Sequence, residues 1–114
     1  MNDVSNKKIV PELLAPAGNM ECLRTAAYFG ADAVYVAGKA YGLRAFADNF
    51  NYNQLADSAE FLHKMGKKLY VTVNVLMRNA DLPGLPKHLS KLKEAGADAV
   101  IVSDPAAVLM AREA

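Results

Sequence analysis

Cysteine and tryptophan are scarce in this sequence, which contains one cysteine and no tryptophan among its 114 residues. A single cysteine cannot form an intramolecular disulfide, and zinc or iron–sulfur sites need several ligands at defined spacings. Cys22 has no such companions along the sequence. We therefore expect no disulfide, no metal site and no cofactor within this chain.

Long apolar runs and an excess of one charge are also missing. The net charge is +1 at pH 7, which gives no overall attraction toward nucleic acid or anionic lipid. No apolar stretch approaches the roughly 20 residues that span a bilayer, and residues 1–8 lack the apolar core of a signal peptide. The sequence thus predicts a cytoplasmic location without a membrane partner.

A seven-residue segment recurs and indicates repeated structural units. GADAVYV at residues 30–36 returns as GADAVIV at residues 96–102, and GKKLYVTV at residues 66–73 lies between them. This spacing corresponds to units of about 33 residues. Each glycine follows an amphipathic stretch and precedes a β-branched or aromatic run, which is typical of a residue that ends a helix in left-handed geometry and leads into a strand.

The repeat predicts four βα units. Strands are expected near residues 12–15, 33–37, 69–74 and 99–102, and helices near residues 20–29, 54–65, 87–95 and from 105 onward. Asn19 and Asp104 are expected to cap the first and fourth helices. The third helix is expected to begin at Lys87, because Pro86 biases the residue before it away from helical geometry.

These units predict an α/β fold that is the N-terminal half of a parallel (β/α) TIM-type barrel, with residues 1–114 forming one partial barrel domain truncated within its fourth helix. A flavodoxin-like open sheet is the alternative, disfavoured by the short first strand. Half a barrel leaves two strand edges unpaired and one sheet face uncovered. Self-association through that face is therefore expected. The face would carry six valines or their neighbours, namely Val34, Val36, Val71, Val73, Val100 and Val102.

Candidate binding residues lie after the predicted strands, where the loops of a (β/α) barrel carry function. The connections at residues 38–53 and 75–86 are longer than usual. The candidates are Arg44 and Asn49 in the first loop, Asn74 at the end of strand 3, and Ser103 and Asp104 at the end of strand 4. A guanidinium such as that of Arg44 suits a carboxylate or phosphate.

Each of these candidates also has a structural interpretation. Arg44 can pair with Asp48 inside a loop pinned by aromatic residues, and Asn74 can cap a turn. For Asp104, capping of the fourth helix is favoured over a chemical role. The strand 2 loop is assigned four aromatic residues, with two alternative interpretations: stacking on a planar ligand, or packing as a local hydrophobic cluster. They are Tyr41, Phe46, Phe50 and Tyr52.

A protease interpretation requires a nucleophile and a base within hydrogen-bonding distance. Cys22 is predicted near the start of helix 1, at the functional rim, whereas His63 falls in the last turn of helix 2, at the opposite end. His88 is predicted at the rim but one whole unit away from helix 1. Cys22 is therefore expected to be a small packed hydrophobic residue, and His63 a cation favoured by a helix C-terminus.

Several motifs together resemble the peptidase U32 (collagenase-like) family. They are PELLAPAG at residues 11–18, GADAVY at 30–35, YGLR at 41–44, GKK at 66–68 and YVTVN at 70–74. With VSDP at residues 102–105, the sequence is most similar to the branch that includes the tRNA uridine hydroxylation proteins. The match covers nearly the whole chain.

This resemblance implies a barrel domain joined to a larger remainder, and oxygen-independent hydroxylation in tRNA, ribosomal RNA or ubiquinone synthesis. For the tRNA branch it implies prephenate-dependent hydroxylation of a wobble uridine. The expected partners of the full-length protein are tRNA and a small dicarboxylate such as prephenate, which a cationic Arg44 would suit. Any iron–sulfur cluster is expected on downstream sequence, and the catalytic residues stay unassigned. The alternatives are a U32 collagenase-like peptidase and a noncatalytic barrel unit that acts by association. This chain alone is expected to be inactive.

Overall fold

Short parallel strands alternate with helices throughout the part of the chain that the computed structural model describes, residues 10–41 and 49–114. The strands are β1 (Leu14–Pro16), β2 (Ala33–Ala37), β3 (Lys68–Val73) and β4 (Ala99–Val102). The helices are α1 (Met20–Tyr28), α2 (Tyr52–Lys64), α3 (Leu85–Ala95) and α4 (Pro105–Glu113), and a 3-10 turn, Leu82–Gly84, precedes α3. Among these residues no helix combines the length and apolarity needed to cross a membrane.

The strand order identifies the type of sheet. All neighbouring strands pair in parallel, and they follow chain order, β1-β2-β3-β4. In a flavodoxin-like sheet the first strand would instead lie between the second and the third. Sequential parallel strands joined by helices are the arrangement of a (β/α) barrel, so the predicted α/β fold, with four βα units of a TIM-type barrel, is confirmed.

Local signals in the sequence fix most helix ends. The Asn19 side chain accepts a hydrogen bond from the Cys22 backbone N–H at 2.8 Å, and Asp104 accepts one from the Ala106 N–H at 2.8 Å. Both predicted caps are therefore confirmed. The repeated glycines adopt φ values of 105°, 72° and 101° at residues 30, 66 and 96, which is the left-handed geometry expected before each strand.

Two helices begin two residues earlier than predicted. Helix α2 starts at Tyr52 because Asn51 and Gln54 form a reciprocal capping box, with hydrogen bonds of 2.8 and 2.9 Å. Helix α3 starts at Leu85, whose φ of −66° and ψ of −44° are helical despite Pro86. Proline in a first turn sacrifices no helical hydrogen bond, and burial of the whole Leu85 side chain offsets the local bias. Strand β1 is also shorter and later than expected.

The core lies between the helices and one face of the sheet. Alternate strand residues, including Val34, Val36, Val71 and Val73, are at most 1% exposed and pack against the helices in one apolar cluster. The leucines of α1, α2 and α3 supply the other side of that cluster. The opposite face consequently carries the neighbours of the valines. On that face Thr72 is buried, and the residues that stay partly or fully exposed are Tyr35, Ala37, Tyr70, Ala99 and Ile101.

The repeated Gly-Ala-Asp segment ties consecutive strands together at their amino ends. The Asp32 carboxylate accepts from the Leu13 N–H at 2.7 Å, while the Asp32 N–H donates to the Leu13 carbonyl at 2.8 Å. Asp98 repeats both bonds with Leu69, each at 2.8 Å, and its carboxylate also lies 2.7 Å from Nε2 of His63. The repeat therefore has a structural role at the end of the sheet opposite the functional loops.

Removing the Asp98 carboxylate should destabilise the protein. In Asp98→Ala the N–H of Leu69, whose side chain is fully buried, loses its partner, and an unsatisfied buried donor costs about 1–3 kcal/mol. The matched control is Glu60→Ala, which removes an exposed ion pair with Lys64 and should change stability by less than about 0.5 kcal/mol. Urea denaturation provides the measurement. Equal midpoints for the two variants would show that the repeat does not stabilise the fold.

The open sheet predicts self-association. β1 and β4 each have one unpaired edge in the described structure, and Leu13 and Leu14 are 56% and 41% exposed beside the first of these edges. Light scattering of this chain at neutral pH should therefore report a dimer or larger species at micromolar concentration. A folded monomer without bound surfactant would mean that the chain covers its sheet by itself.

Candidate functional site

Four of the five predicted binding residues lie at the carboxyl ends of the strands. Asn74 directly follows β3 and Ser103 follows β4, and the pairing of Val73 with Val102 places them side by side. Asn49 precedes Phe50, whose backbone bridges to Gly38 at the end of β2. Asn49 and Asn74 are half-buried, and Ser103 is exposed. The structure therefore gathers these side chains at one rim.

Asp104, the fourth of these residues, has two structural partners at the rim. One carboxylate oxygen caps α4 through the Ala106 N–H, and the other accepts from the Met77 N–H at 2.9 Å. The second bond fixes the loop after β3 to the start of α4. These contacts account for both oxygens, as the structural interpretation of the sequence proposed.

The fifth candidate, Arg44, lies outside the described residues, as do Phe46 and Asp48. The described aromatic residues of the same connection pack against the protein. Phe50 is 3% exposed and belongs to the core, and its N–H donates to the Ala37 carbonyl at 2.9 Å. Tyr52 is the first residue of α2 rather than a loop residue. For Phe50 the packing interpretation is thus confirmed.

A cavity of about 190 Å³ lies beside this rim, where the start of α2 meets the start of α3. Its floor contains the buried imidazole of His88, which is 4% exposed. The Tyr52 hydroxyl lies 2.6 Å from Nδ1 of His88, and Lys91 Nζ stands 5.0 Å from the centre of the Tyr52 ring. The residues that line the cavity are Gly38, Lys39, Ala40, Phe50, Asn51, Tyr52, Leu55 and His88.

Tyr41 connects the two long rim loops above His88. Its ring centre is 4.9 Å from that of His88, and its hydroxyl donates to the Asp81 carbonyl at 3.1 Å. Its φ of 62° is a left-handed conformation that non-glycine residues rarely adopt, and such strain is concentrated at functional sites. A Cβ at Gly84 would lie 2.7 Å from the Tyr41 hydroxyl, so a side chain at residue 84 would require that hydroxyl to move.

Both members of the Tyr52–His88 pair are held neutral near pH 7. Burial lowers the pKa of His88 below the ordinary 6.5, because the cavity wall solvates an imidazolium poorly. Burial, followed by the neighbouring Tyr41, raises the pKa of Tyr52 above 10.0. A neutral imidazole has one N–H donor and one acceptor nitrogen, so Nδ1 can accept the Tyr52 hydroxyl proton, while Nε2 is buried without a hydrogen-bond partner among the described residues.

The thiol and imidazoles do not assemble a peptidase site. Cys22 is exposed on α1, so the expectation that it packs as a small hydrophobic residue is wrong; the first turn of α1 turns it toward solvent, while Leu23 enters the core. His63 contacts Asp98 at the opposite end of the sheet, and His88 contacts Tyr52. Within the described ranges neither imidazole is hydrogen-bonded to the thiol.

Sequence reasoning did not identify His88 and Tyr52 as a pair. The capping box at Asn51 would have placed Tyr52 at the start of α2, and the proline rule for first turns would have placed His88 one turn into α3. Those two signals together put both side chains at the same rim. The 2.6 Å contact itself depends on how α2 packs against α3, which no local signal reveals.

The fold and the rim define four βα units of a (β/α) barrel, with a polar strand-end region and an adjoining cavity. The sequence profile of peptidase family U32 matches residues 18–114, and the chain belongs to that family. It is 46% identical over 105 residues to tRNA hydroxylation protein P1 of Bacillus subtilis, and the alignment covers 90% of this chain and 25% of that protein. It is 42% identical to tRNA hydroxylation protein P of Escherichia coli, covering 90% of this chain and 23% of the relative.

Two further similarities bear on fold and chemistry. The 23S rRNA 5-hydroxycytidine C2501 synthase of Escherichia coli is 37% identical, over 82% of this chain and 14% of that protein. The solved structure of the U32 peptidase Mk0906 matches with a TM-score of 0.68 at 15% identity, covering 94% of this chain and 48% of that one. The chain thus spans about a quarter of the tRNA hydroxylation proteins it matches.

The lowered pKa of His88 gives a pH-dependent prediction. Because the fold favours the neutral imidazole, the unfolded state binds more protons below pH 6.5, and stability should fall as the pH drops through and below that value. NMR titration should place the His88 midpoint below 6.5, with His63→Gln removing the other imidazole signal to assign the resonances. A midpoint at or above 6.5 would contradict the burial argument.

Proposed function

We propose that this chain is part of an RNA-hydroxylating U32 protein that hydroxylates a wobble uridine of tRNA without molecular oxygen and with prephenate as a substrate. The observation that carries the proposal is the 46% identity to a tRNA hydroxylation protein over 90% of the chain. A second tRNA hydroxylation protein and an rRNA 5-hydroxycytidine synthase support hydroxylation of an RNA base as the shared chemistry.

In this proposal the substrates bind at the rim. Asn49, Asn74 and Ser103 offer hydrogen-bonding groups at the strand ends, where barrel proteins bind their substrates. In this proposal Arg44, which lies in the same β2–α2 connection as Asn49, holds a carboxylate of the dicarboxylate substrate. With a net charge of +1, this chain contributes only local charge to tRNA binding, and the rest of the complete protein supplies the remainder.

The described residues do not fit an iron–sulfur cluster. Cys22 is the one cysteine of the sequence, and residues 10–41 and 49–114 contain no group of three His, Cys, Asp or Glu side chains placed to share a metal ion. We assign any cluster of the complete protein to sequence outside this chain, and no step at the rim is derived from it. The location proposed for the protein is the cytoplasm, where tRNA is found.

The peptidase alternative lacks a supporting arrangement in the described structure. One relative of 38% identity is named an uncharacterized protease of Methanocaldococcus jannaschii. In this chain, however, Cys22 is exposed on α1, His63 contacts Asp98 and His88 contacts Tyr52. Acyl transfer by a thiol requires a base beside it. The third possibility, a noncatalytic unit that acts by association, is addressed by the light-scattering measurement described above.

Arg44→Ala in the complete protein should reduce tRNA hydroxylation at least tenfold without loss of folded protein. A charge-assisted hydrogen bond contributes about 1.5–3 kcal/mol, which corresponds to roughly tenfold to a hundredfold. Arg24→Ala, which removes an exposed arginine from α1, is the matched control and should hydroxylate normally. The measurement is mass spectrometry of tRNA from cells in which each variant replaces the native protein.

Two results of this experiment would contradict the proposal. Normal hydroxylation with Arg44→Ala, at equal protein levels, would remove Arg44 from substrate binding. Normal hydroxylation in cells that lack the protein altogether would overturn the proposed function.

A further inference from the structure

The described lysines differ between the two ends of the sheet. At the amino ends of the strands each lysine has an oxygen partner: Lys64 with Glu60, Lys67 with the Ala31 carbonyl, Lys68 with Glu12, and Lys93 with the Ala114 carbonyl. The lysines at the carboxyl rim are Lys39, Lys87 and Lys91. Among the described residues these have no carboxylate or carbonyl partner.

The three rim lysines belong to one exposed surface. Lys87 and Lys91 are one turn apart on α3, about 6 Å along the helix axis, so their side chains leave the same face. Lys91 Nζ lies 5.0 Å from the centre of the Tyr52 ring at the start of α2. Lys39, just beyond the end of β2, lines the same cavity as Tyr52. We call Lys39, Lys87 and Lys91 the rim lysine patch.

The position of Lys87 is unfavourable for the stability of α3. The first turn of this helix contains Lys87 and no acidic residue. A helix N-terminus carries partial positive charge, so a lysine there is destabilising and a carboxylate would be stabilising. A residue that departs from such a local rule without a compensating contact points to a function outside the fold.

The contact of Lys91 with Tyr52 orients the lysine without neutralising it. An ammonium group over an aromatic ring is attracted by the negative ring face, yet it keeps its full charge and its hydrogen-bond donors. Lys91 is exposed, so these donors are available to a partner.

The carboxylates of the rim do not compensate this charge. Asp81 accepts from the Arg78 N–H at 2.9 Å and lies 3.7 Å from its guanidinium, and Asp104 accepts from the N–H groups of Met77 and Ala106. The exposed carboxylates of Glu21 and Asp57 form no ion pair with the patch in the described structure. The patch is therefore locally cationic, although the net charge of the chain is only +1.

We propose that the rim lysine patch binds the sugar–phosphate backbone of tRNA beside the nucleotide that is modified. The inference rests on the proposed function and identifies the contact that positions its RNA substrate at the rim. Lysine–phosphate contacts fix the register and orientation of a nucleic acid without reading its sequence. Such a contact suits a family whose members are named for different RNAs, tRNA and 23S rRNA.

The test is tRNA binding by the complete protein, measured by fluorescence anisotropy between roughly 50 and 200 mM salt. Each of Lys39→Gln, Lys87→Gln and Lys91→Gln should reduce the slope of log K against log salt by about 0.7–0.9, because one phosphate contact fewer releases counterions. Affinity should fall about threefold or more for each variant, and the triple variant should lose a slope of about 2. Lys64→Gln and Lys93→Gln, at the opposite end of the sheet, are the matched controls and should bind normally.

Lys87→Glu separates binding from stability. The new carboxylate suits the start of α3, so the melting temperature should equal or exceed that of the unmodified protein. The same change repels phosphate, so tRNA binding should weaken about tenfold or more, beyond the loss in Lys87→Gln. A lysine that only supports the fold would not show these opposite effects.

Several outcomes would overturn this inference. They are an unchanged salt slope in the triple variant, equal losses in Lys64→Gln and Lys93→Gln, absence of tRNA binding by the complete protein, and patch-dependent binding to phosphatidylserine vesicles in place of tRNA. Hydroxylation that is lost on deletion of the protein but normal in the triple variant would keep the proposed function and reject the patch. Patch-dependent tRNA binding by a protein whose deletion leaves hydroxylation intact would support the patch and reject the function.

Discussion

Parallel pairing in chain order is the constraint on which the other features of this protein depend. Because each strand runs in the same direction as its neighbour, every strand delivers its carboxyl end, and the start of the following helix, to one rim. Asn74, Ser103, Tyr52 and His88 come from four different elements and gather at that rim for this reason alone. The cavity is a product of the same constraint, since it opens where the first turns of α2 and α3 meet.

The two ends of the sheet have different physical roles. At the amino ends, the side chains and backbone N–H groups of Asp32 and Asp98 form hydrogen bonds with Leu13 and Leu69, respectively. These polar groups are therefore satisfied within the protein. At the carboxyl ends, Tyr41 is strained and His88 is left with an unpaired nitrogen in the described structure. The stabilising hydrogen bonds are thus at one end of the sheet, and the strained residue and the unpaired nitrogen are at the other.

The sequence predicted the order and direction of the elements well because the signals for them are local. Repeated glycines, alternating apolar residues and the caps at Asn19 and Asp104 each act within one or two turns of chain. It predicted the site less well. Cys22 was misjudged because exposure depends on which face of α1 meets the sheet. The Tyr52–His88 contact joins residues 36 apart in sequence and depends on how their two helices pack. Arg44 lies outside the described residues, so its predicted role stays a prediction.

The Tyr41–Gly84 contact has a consequence for how this rim can change. The loop after β2 reaches across to the loop before α3, and the space it occupies there would be filled by any side chain at residue 84. A new sequence for either loop must therefore accommodate the other, because a side chain at residue 84 would push against the hydroxyl of the tyrosine that contacts His88. The two loops are therefore structurally coupled. Grafting loops between proteins of this fold would require both loops to be transferred together.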